Sequence, residues 1–497
     1  MNLGQQFVMA ISLAACSSIT PPLDAGADSS QLPADAGAAV LDAGVDSGTL
    51  DAGPASARAR WATAYPAAGT AAIATGPSDR VYVVGYVFGA STFGSTTLSP
   101  DSLGDFLLLA LDTEGDVLWA TSFGDPVVAR EIQSPRITVD DDGDIITATT
   151  DRRFDNRQVA NAVWIRKHSA LDGSVLWERR LDPHWNPGSL DCQPDGDVVV
   201  GGHSYGSADL GQGAVPDGAI SVLELDGATG STQWLTTFGA GLLSGFAHDR
   251  VLVGARASDG HVIVFSHYRG AFDFGSDRMP VPPPGTEQLD ASGLFLGELD
   301  GLGAPVIGRA VLPVAGPIND LLATDLAVRS DGFTILGHFR GTLDLGLGVR
   351  TTTNITGTLD GFVASYTAVD APVWARATQS GWTYVAMAVG PSGESVSIGH
   401  SDEPDLARFG PGWSPPPAGS MTSLLMARLD GAGAPELRAL FGTLAFAGDV
   451  AVDSLGNAYV AGAFCAQLDF GGPRLSCTEA GSTLHGFIAS LPPGYLH

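Results

Sequence analysis

One element, repeated seven times, constrains what this chain can fold into. It is a short β-prone run with Trp61, Trp119, Trp177, Trp234 or Trp374 near its centre, and with Val306 and Leu437 standing at the same place in two further copies. RWATAY, VLWATSFG, VLWERRL, TQWLTTFG and PVWARAT are its Trp-bearing forms. Successive copies lie roughly 60 residues apart, too long for a solenoid unit but suited to a four-stranded blade with insertions.

Each repeat supplies three more runs with strand character. The first is a run such as Ile137-Thr138-Val139 or Leu326-Ala327-Val328, followed by a tight Asp/Ser/Asn/Gly turn. The second is a run such as Val81 to Val84 or Val198 to Val200. An Asp-Phe-Gly-like corner follows, as at Asp273-Phe274-Gly275 and Asp344-Leu345-Gly346, and then a loop of variable length. The third run, such as Phe106 to Leu111 or Ile220 to Leu225, ends in Leu-Asp and a Gly turn before the Trp run. The first three runs occur seven times, but the last set stops at Gly486 to Leu491 with no fourth run, and a spare fourth run stands at Arg60 to Tyr65. The expected fold is therefore all-β: a seven-bladed β-propeller of four-stranded blades over residues 58–497, closed by the N-terminal strand completing the last blade. Such closure leaves no unpaired inner edge.

The last repeat, Asp449 to Phe464, reads DVAVDSLGNAYVAGAF. It resembles the bacterial seven-bladed β-propeller repeat family; the likeness is partial in repeats one and three to six and weakest in the second, where Asp151 to Gln158 replaces the corner. The resemblance implies a fold and a surface location, and no activity. Leu171 to Glu178, LDGSVLWE, is similar to the Trp-docking blade motif of quinoprotein dehydrogenases and related outer-membrane assembly propellers, where the Trp stacks between blades. A quinoprotein also needs an adjacent cysteine pair, and this chain has none.

Ahead of the repeats, Phe7 to Ala15 is an apolar run too short to span a bilayer, ending in Leu13-Ala14-Ala15-Cys16. It resembles a bacterial lipoprotein signal (residues 1–16) with its lipobox, which implies lipid modification at Cys16. Met1 to Gln6 departs from that pattern in having no Lys or Arg. Ser17 and Ser18, with no Asp beside the cysteine, imply sorting to the outer membrane or cell surface of a Gram-negative bacterium. Residues 17–57 carry four Asp-Ala-Gly units and no aromatic residue. Such a segment buries too little apolar surface to offset its ordering entropy, so a disordered acidic tether is expected.

Charge narrows the partners. The chain has 54 Asp plus Glu against 25 Lys plus Arg, a net charge of −29, and Lys167 is its one lysine. That balance argues against nucleic acid and against an anionic membrane surface, both of which attract cations. Membrane contact is expected through the lipid anchor alone, and the chain is expected to be a monomer.

His203, His267, His338 and His400 share one register at the end of the second strand in four consecutive repeats, with Tyr86 in that place in the first. They form either a ligand or metal face or a repeated inter-blade hydrogen bond, and the blade-by-blade repetition favours the bond. Asp140, Asp142 and Asp144 suit calcium, a hard cation that wants oxygen ligands, but they fall on a turn whose own chemistry explains them. Cys465 and Cys477 flank the last corner and are expected to form a disulfide in an oxidising compartment. Trp413, held among prolines in a long second-to-third-strand loop, is a candidate contact residue. No catalytic motif is present and no cofactor is required. The reading is a noncatalytic cell-envelope lipoprotein whose loop-rich face binds a protein or glycan. The alternative is a metal-dependent hydrolase or lyase using the four histidines.

Overall fold

In the computed structural model the described residues are 58–495, apart from 101–103, 125–129, 133–134, 156–157, 244–249, 284–291, 315–319, 352–359, 378–382, 402–422, 473, 478–483 and 494. The signal, Cys16 and the tether therefore lie outside the described residues, as does Trp413.

Seven antiparallel sheets of four strands form a ring. Blade 1 runs outward as Ala68–Thr75, Val81–Val87, Asp105–Leu111 and Val117–Phe123. Blades 3, 4 and 5 repeat that order from Trp185–Cys192, Val251–Ala255 and Asp320–Arg329 respectively. Blade 2 starts at Arg136–Val139, and its second and third strands, Ile145–Asp155 and Gln158–His168, are one long hairpin in place of the corner. Blades 6 and 7 share one strand, Pro435–Val452, which is the outermost of blade 6 at its start and the innermost of blade 7 at its end. Closure is as expected: Trp61–Pro66 pairs antiparallel with His485–Leu491, Trp61 opposite Ser490 and Pro66 opposite His485.

The cores sit between blades. One cluster joins Leu252, Phe265 and Leu294 of blade 4 to Leu321, Phe333 and Ile335 of blade 5. Another joins Tyr65, Tyr459 and Ile488 of blade 7 to Val81, Val83 and Leu107 of blade 1. The corners are plugs for these interfaces. Phe93, Leu210, Phe274, Leu345 and Phe470 are all buried, and Phe274 packs 4.6 Å from Phe238 of the preceding blade. In three corners an Asp side chain receives the glycine amide two residues on, as in Gly211 N–H to Asp209 Oδ1 at 2.8 Å.

The Trp run clasps the next blade. Trp61, Trp119, Trp177 and Trp374 each donate Nε1–H to a carbonyl in the third-to-fourth-strand turn of the following blade, at 2.9–3.1 Å. The ring then lies flat on a glycine of that turn. A Cβ placed on Gly115, Gly173, Gly230, Gly303 or Gly433 would stand 2.5–2.6 Å from the ring of Trp61, Trp119, Trp177, Trp234 or Trp374. These glycines also have φ between +70° and +85°, so two independent constraints exclude a side chain. At Val306 of blade 4 the Trp is missing, and so is the turn glycine of blade 5, whose turn reads Ala368-Val369-Asp370-Ala371.

Candidate functional site

The two ends of the ring are built differently. At one end the strands are joined by tight turns such as 140–144, 193–197 and 453–457. At the other, the second-to-third-strand connections are longer, as in 205–219 of blade 3 and the described part of blade 4's connection, 269–283. Four of these connections form a two-stranded ribbon of their own, for example Phe272–Phe274 with Asp277–Met279.

The histidine register holds, and it runs through the interior. His203, His267 and His338 are buried, and His400 is half-buried. His338 has a defined task. Its Nε2 accepts the Tyr384 amide of blade 6 at 2.9 Å, so its proton is on Nδ1, which faces Thr324 Oγ1 at 2.9 Å. This is an inter-blade bond made by a neutral imidazole. Burial, then His400 and Arg250, push its pKa down to about 3. Tyr86 is buried against Phe106 and Phe88. Among the described residues no group of three or more His, Cys, Asp and Glu side chains is arranged to hold a metal ion.

The acidic turn meets a cation of the chain's own. Lys167 Nζ lies 2.7 Å from Asp140 Oδ2 and 3.8 Å from Asp144, and it also donates to Gly227 O of blade 3 at 3.2 Å. Burial pulls the ammonium pKa down, but the hydrogen bond to Asp140 and the charges of Asp140 and Asp144 outweigh it and raise the value. Asp140 Oδ1 accepts the Asp144 amide, as a turn residue does. Asp142 is exposed by comparison. Near the same end, blade 4 holds the equivalent pair with the charges exchanged, and blade 6 holds it in the same sense. Blade 4 has Arg256 with Glu298 at 2.7 Å, and blade 6 has Glu394 with Arg428 at 2.9 Å. Blade 3 has the carboxylate without the cation. Glu224 is bonded to Gln193, and burial raises its pKa to about 7.

Cys465 lies in the strand Ala458–Leu468, which pairs with Leu475–Ser476 so that Gln467 opposes Ser476. Cys477 follows directly, so the ribbon register brings the two cysteines to neighbouring positions.

One cluster was not anticipated. By strand pairing, Ala72, Arg136, Ser189, Leu252, Asp325, Ala386 and Asp449 form a single layer of the innermost strands, two residues inward from the histidine register. The polar members reach forward to the next blade. Asp449 Oδ2 accepts the Ile73 amide at 3.0 Å, Asp325 Oδ2 the Met387 amide at 2.7 Å, and Ser189 Oγ the Val253 amide at 2.7 Å. Arg136 Nε donates to Gly188 O at 2.6 Å. Arg250, immediately before the blade 4 strand, donates to Thr324 O of blade 5 at 3.0 Å. These five residues are half-buried although protein surrounds them, as expected for the wall of a channel. Burial raises the carboxyl pKa of Asp325; burial and the charge of Asp325 raise that of Asp449 to about 7. It pulls the Arg136 guanidinium down, and that of Arg250 to about 10. The sequence signal was the recurrence of Asp325-Leu-Ala-Val and Asp449-Val-Ala-Val at one register.

The chain matches no protein-family model and no curated protein. Solved structures do resemble it. The Dos1 propeller aligns at 11% identity and TM-score 0.39, covering 87% of this chain and 94% of that one. The β-propeller domain of the Trilobed protease from Pyrococcus furiosus aligns at 8% identity and TM-score 0.40, covering 84% and 97%. The chain is a seven-bladed β-propeller. A third neighbour, the α-L-arabinofuranosidase Arb93A from Fusarium graminearum, aligns at 9% identity and TM-score 0.40 over 74% of this chain and 94% of its own. At these identities the likeness is one of fold alone.

Proposed function

We propose that this propeller is a noncatalytic envelope scaffold. It is tethered through Cys16 and residues 17–57 and presents its long-connection end to a protein or glycan partner. The observation that carries the reading is the contrast between the two ends. Tight turns close one end, while length and composition vary from blade to blade at the other, above corners that are plugged into the core. A rigid ring with variable loops on one end separates fold from recognition. A Cys465–Cys477 bridge would hold the last of these ribbons in an oxidising compartment, and peptide mapping without reductant would detect it. The reading extends to a Gram-negative outer-membrane location, which fatty-acid labelling lost in Cys16→Ala tests.

The functional test is partner capture. Full-length protein is presented to glycan arrays and to detergent-solubilised envelope, beside a variant in which 402–422 is replaced by a short Gly-Ser loop. Binding lost in the variant at unchanged melting temperature supports the scaffold. Hydrolase or lyase turnover that is lost in His400→Ala with the fold intact would overturn it in favour of catalysis.

A further inference from the structure

The channel layer contains more hydrogen-bond donors than the protein uses. Asp325 and Asp449 each have both oxygens engaged by backbone amides: Asp325 by Leu326 and Met387, Asp449 by Val450 and Ile73. Their role in joining blades is complete. Arg250 is the opposite case. Of the five N–H groups of its guanidinium, the described residues engage one, at Thr324 O. No carboxylate among the described residues lies within ion-pair distance of it, although it stands half-buried within the ring.

A second guanidinium shares this space. Arg136 is on blade 2 and Arg250 on blade 4, and each interacts through space with Asp325 of blade 5 and Asp449 of blade 7. Groups on blades 2, 4, 5 and 7 have only the channel in common. A planar donor fork with unused N–H groups, in a confined space and beside another cation, matches a planar or tetrahedral oxyanion. The unused acceptor capacity is smaller, so a cation fits less well.

We propose that the channel holds a small oxyanion, a carboxylate or phosphate group, against the guanidinium of Arg250, with Arg136 adding charge. The site is independent of the loop-end reading. The net charge of −29 opposes long-range capture of an anion, so binding depends on short-range donors and association is faster when salt screens the surface.

The test is calorimetric titration of the full chain with inorganic phosphate and, separately, with succinate. Ionic strength is held constant with chloride, and a chloride-only blank is subtracted. Saturable binding of either at one per chain is expected, weakened at least about tenfold in Arg250→Gln and less in Arg250→Lys. Phosphate alone assigns the phosphate group, succinate alone the carboxylate, and both a general oxyanion site. Absence of saturable binding, or equal binding by Arg250→Gln, overturns the proposal. If Arg250→Gln does not fold, wild-type crystals soaked in selenate decide. An anomalous peak within hydrogen-bond reach of Arg250 supports the site, and peaks confined to the outer surface overturn it.

Discussion

Lys167 shows how one residue can carry a local structure. Its ammonium sits between Asp140 and Asp144 and reaches a carbonyl of the next blade, with only 12% of its side chain exposed. Replacing it leaves Asp140, itself 3% exposed by side chain, without a counter-charge. Lys167→Met is expected to destabilise the fold by about 3 kcal/mol in urea titration, and adding Asp140→Asn should recover part of that loss. Glu224 makes the complementary case, because its blade has no cation to pair with it. Its pKa is raised from 4.5 to about 7 in the fold, and that of Asp449 from 3.8 to about 7. For a raised carboxyl the folded state binds the proton more tightly. The associated stability is full below about pH 4 and is lost as pH rises through about 7. Melting temperature should therefore fall between pH 5 and pH 8, and Glu224→Gln should flatten that slope. A slope unchanged in the variant would remove Glu224 from the account. None of these pairings was legible in the sequence. Asp140 stands on a turn and Lys167 on a strand 27 residues later, so no spacing joins the acidic turn to its cation. The histidine register was legible because it repeats, but the bonds of His338 depend on Thr324 and Tyr384, which no spacing singles out.

At the scale of the element, the Trp–glycine clasp is the unit that orders the ring. Each Trp needs a bare glycine in the next blade's turn, and the two are lost together where Val306 faces blade 5. Gly303→Ala would place a Cβ 2.5 Å from the Trp234 ring, at φ +77°. Gly196→Ala, at φ +90° with nothing within 4 Å, meets the backbone penalty alone. The expected costs are about 2–5 kcal/mol for the first and about 1–2 kcal/mol for the second, read from parallel chemical melts. Equal costs would mean that the clasp is not tightly packed. The Trp positions were visible in the sequence, and so were the turn glycines. Their contact was not, because it joins residues 53 to 69 apart on separate blades. Corners were recognised as a motif but read as connections. Their apolar residues are plugs, which only the packing of Phe274 on Phe238 reveals.

For the whole molecule, closure is the property on which cooperativity rests. Blade 7 is complete only when Trp61–Pro66 joins His485–Leu491. Thr70 reinforces the seam: its hydroxyl lies 2.6 and 2.8 Å from the carbonyls of Gly462 and Phe487, either of which can take its one proton, and it accepts the Gly462 amide at 2.8 Å. Deleting 59–66 exposes the edge of His485–Leu491 and removes Trp61 from Gly115. The expected result is oligomers in sedimentation and loss of a single melting transition. A monomer with unaltered melting would show that six blades and a partial seventh suffice. Blade number, strand order and closure were all readable from the sequence, since they follow from counting a repeat. The channel layer was not, because its members come from blades remote in the chain and meet only across the ring axis.

The same seam imposes an order in time. The first strand of the ring is made early in synthesis, and its partner more than 400 residues later. At ~5–20 residues per second the ribosome takes on the order of 20–80 s to cover that distance. Throughout that interval the early strand has no partner, so the chain stays unclosed until translation is nearly finished. On the export route proposed above, the ring would close only after the strand His485–Leu491 had passed through.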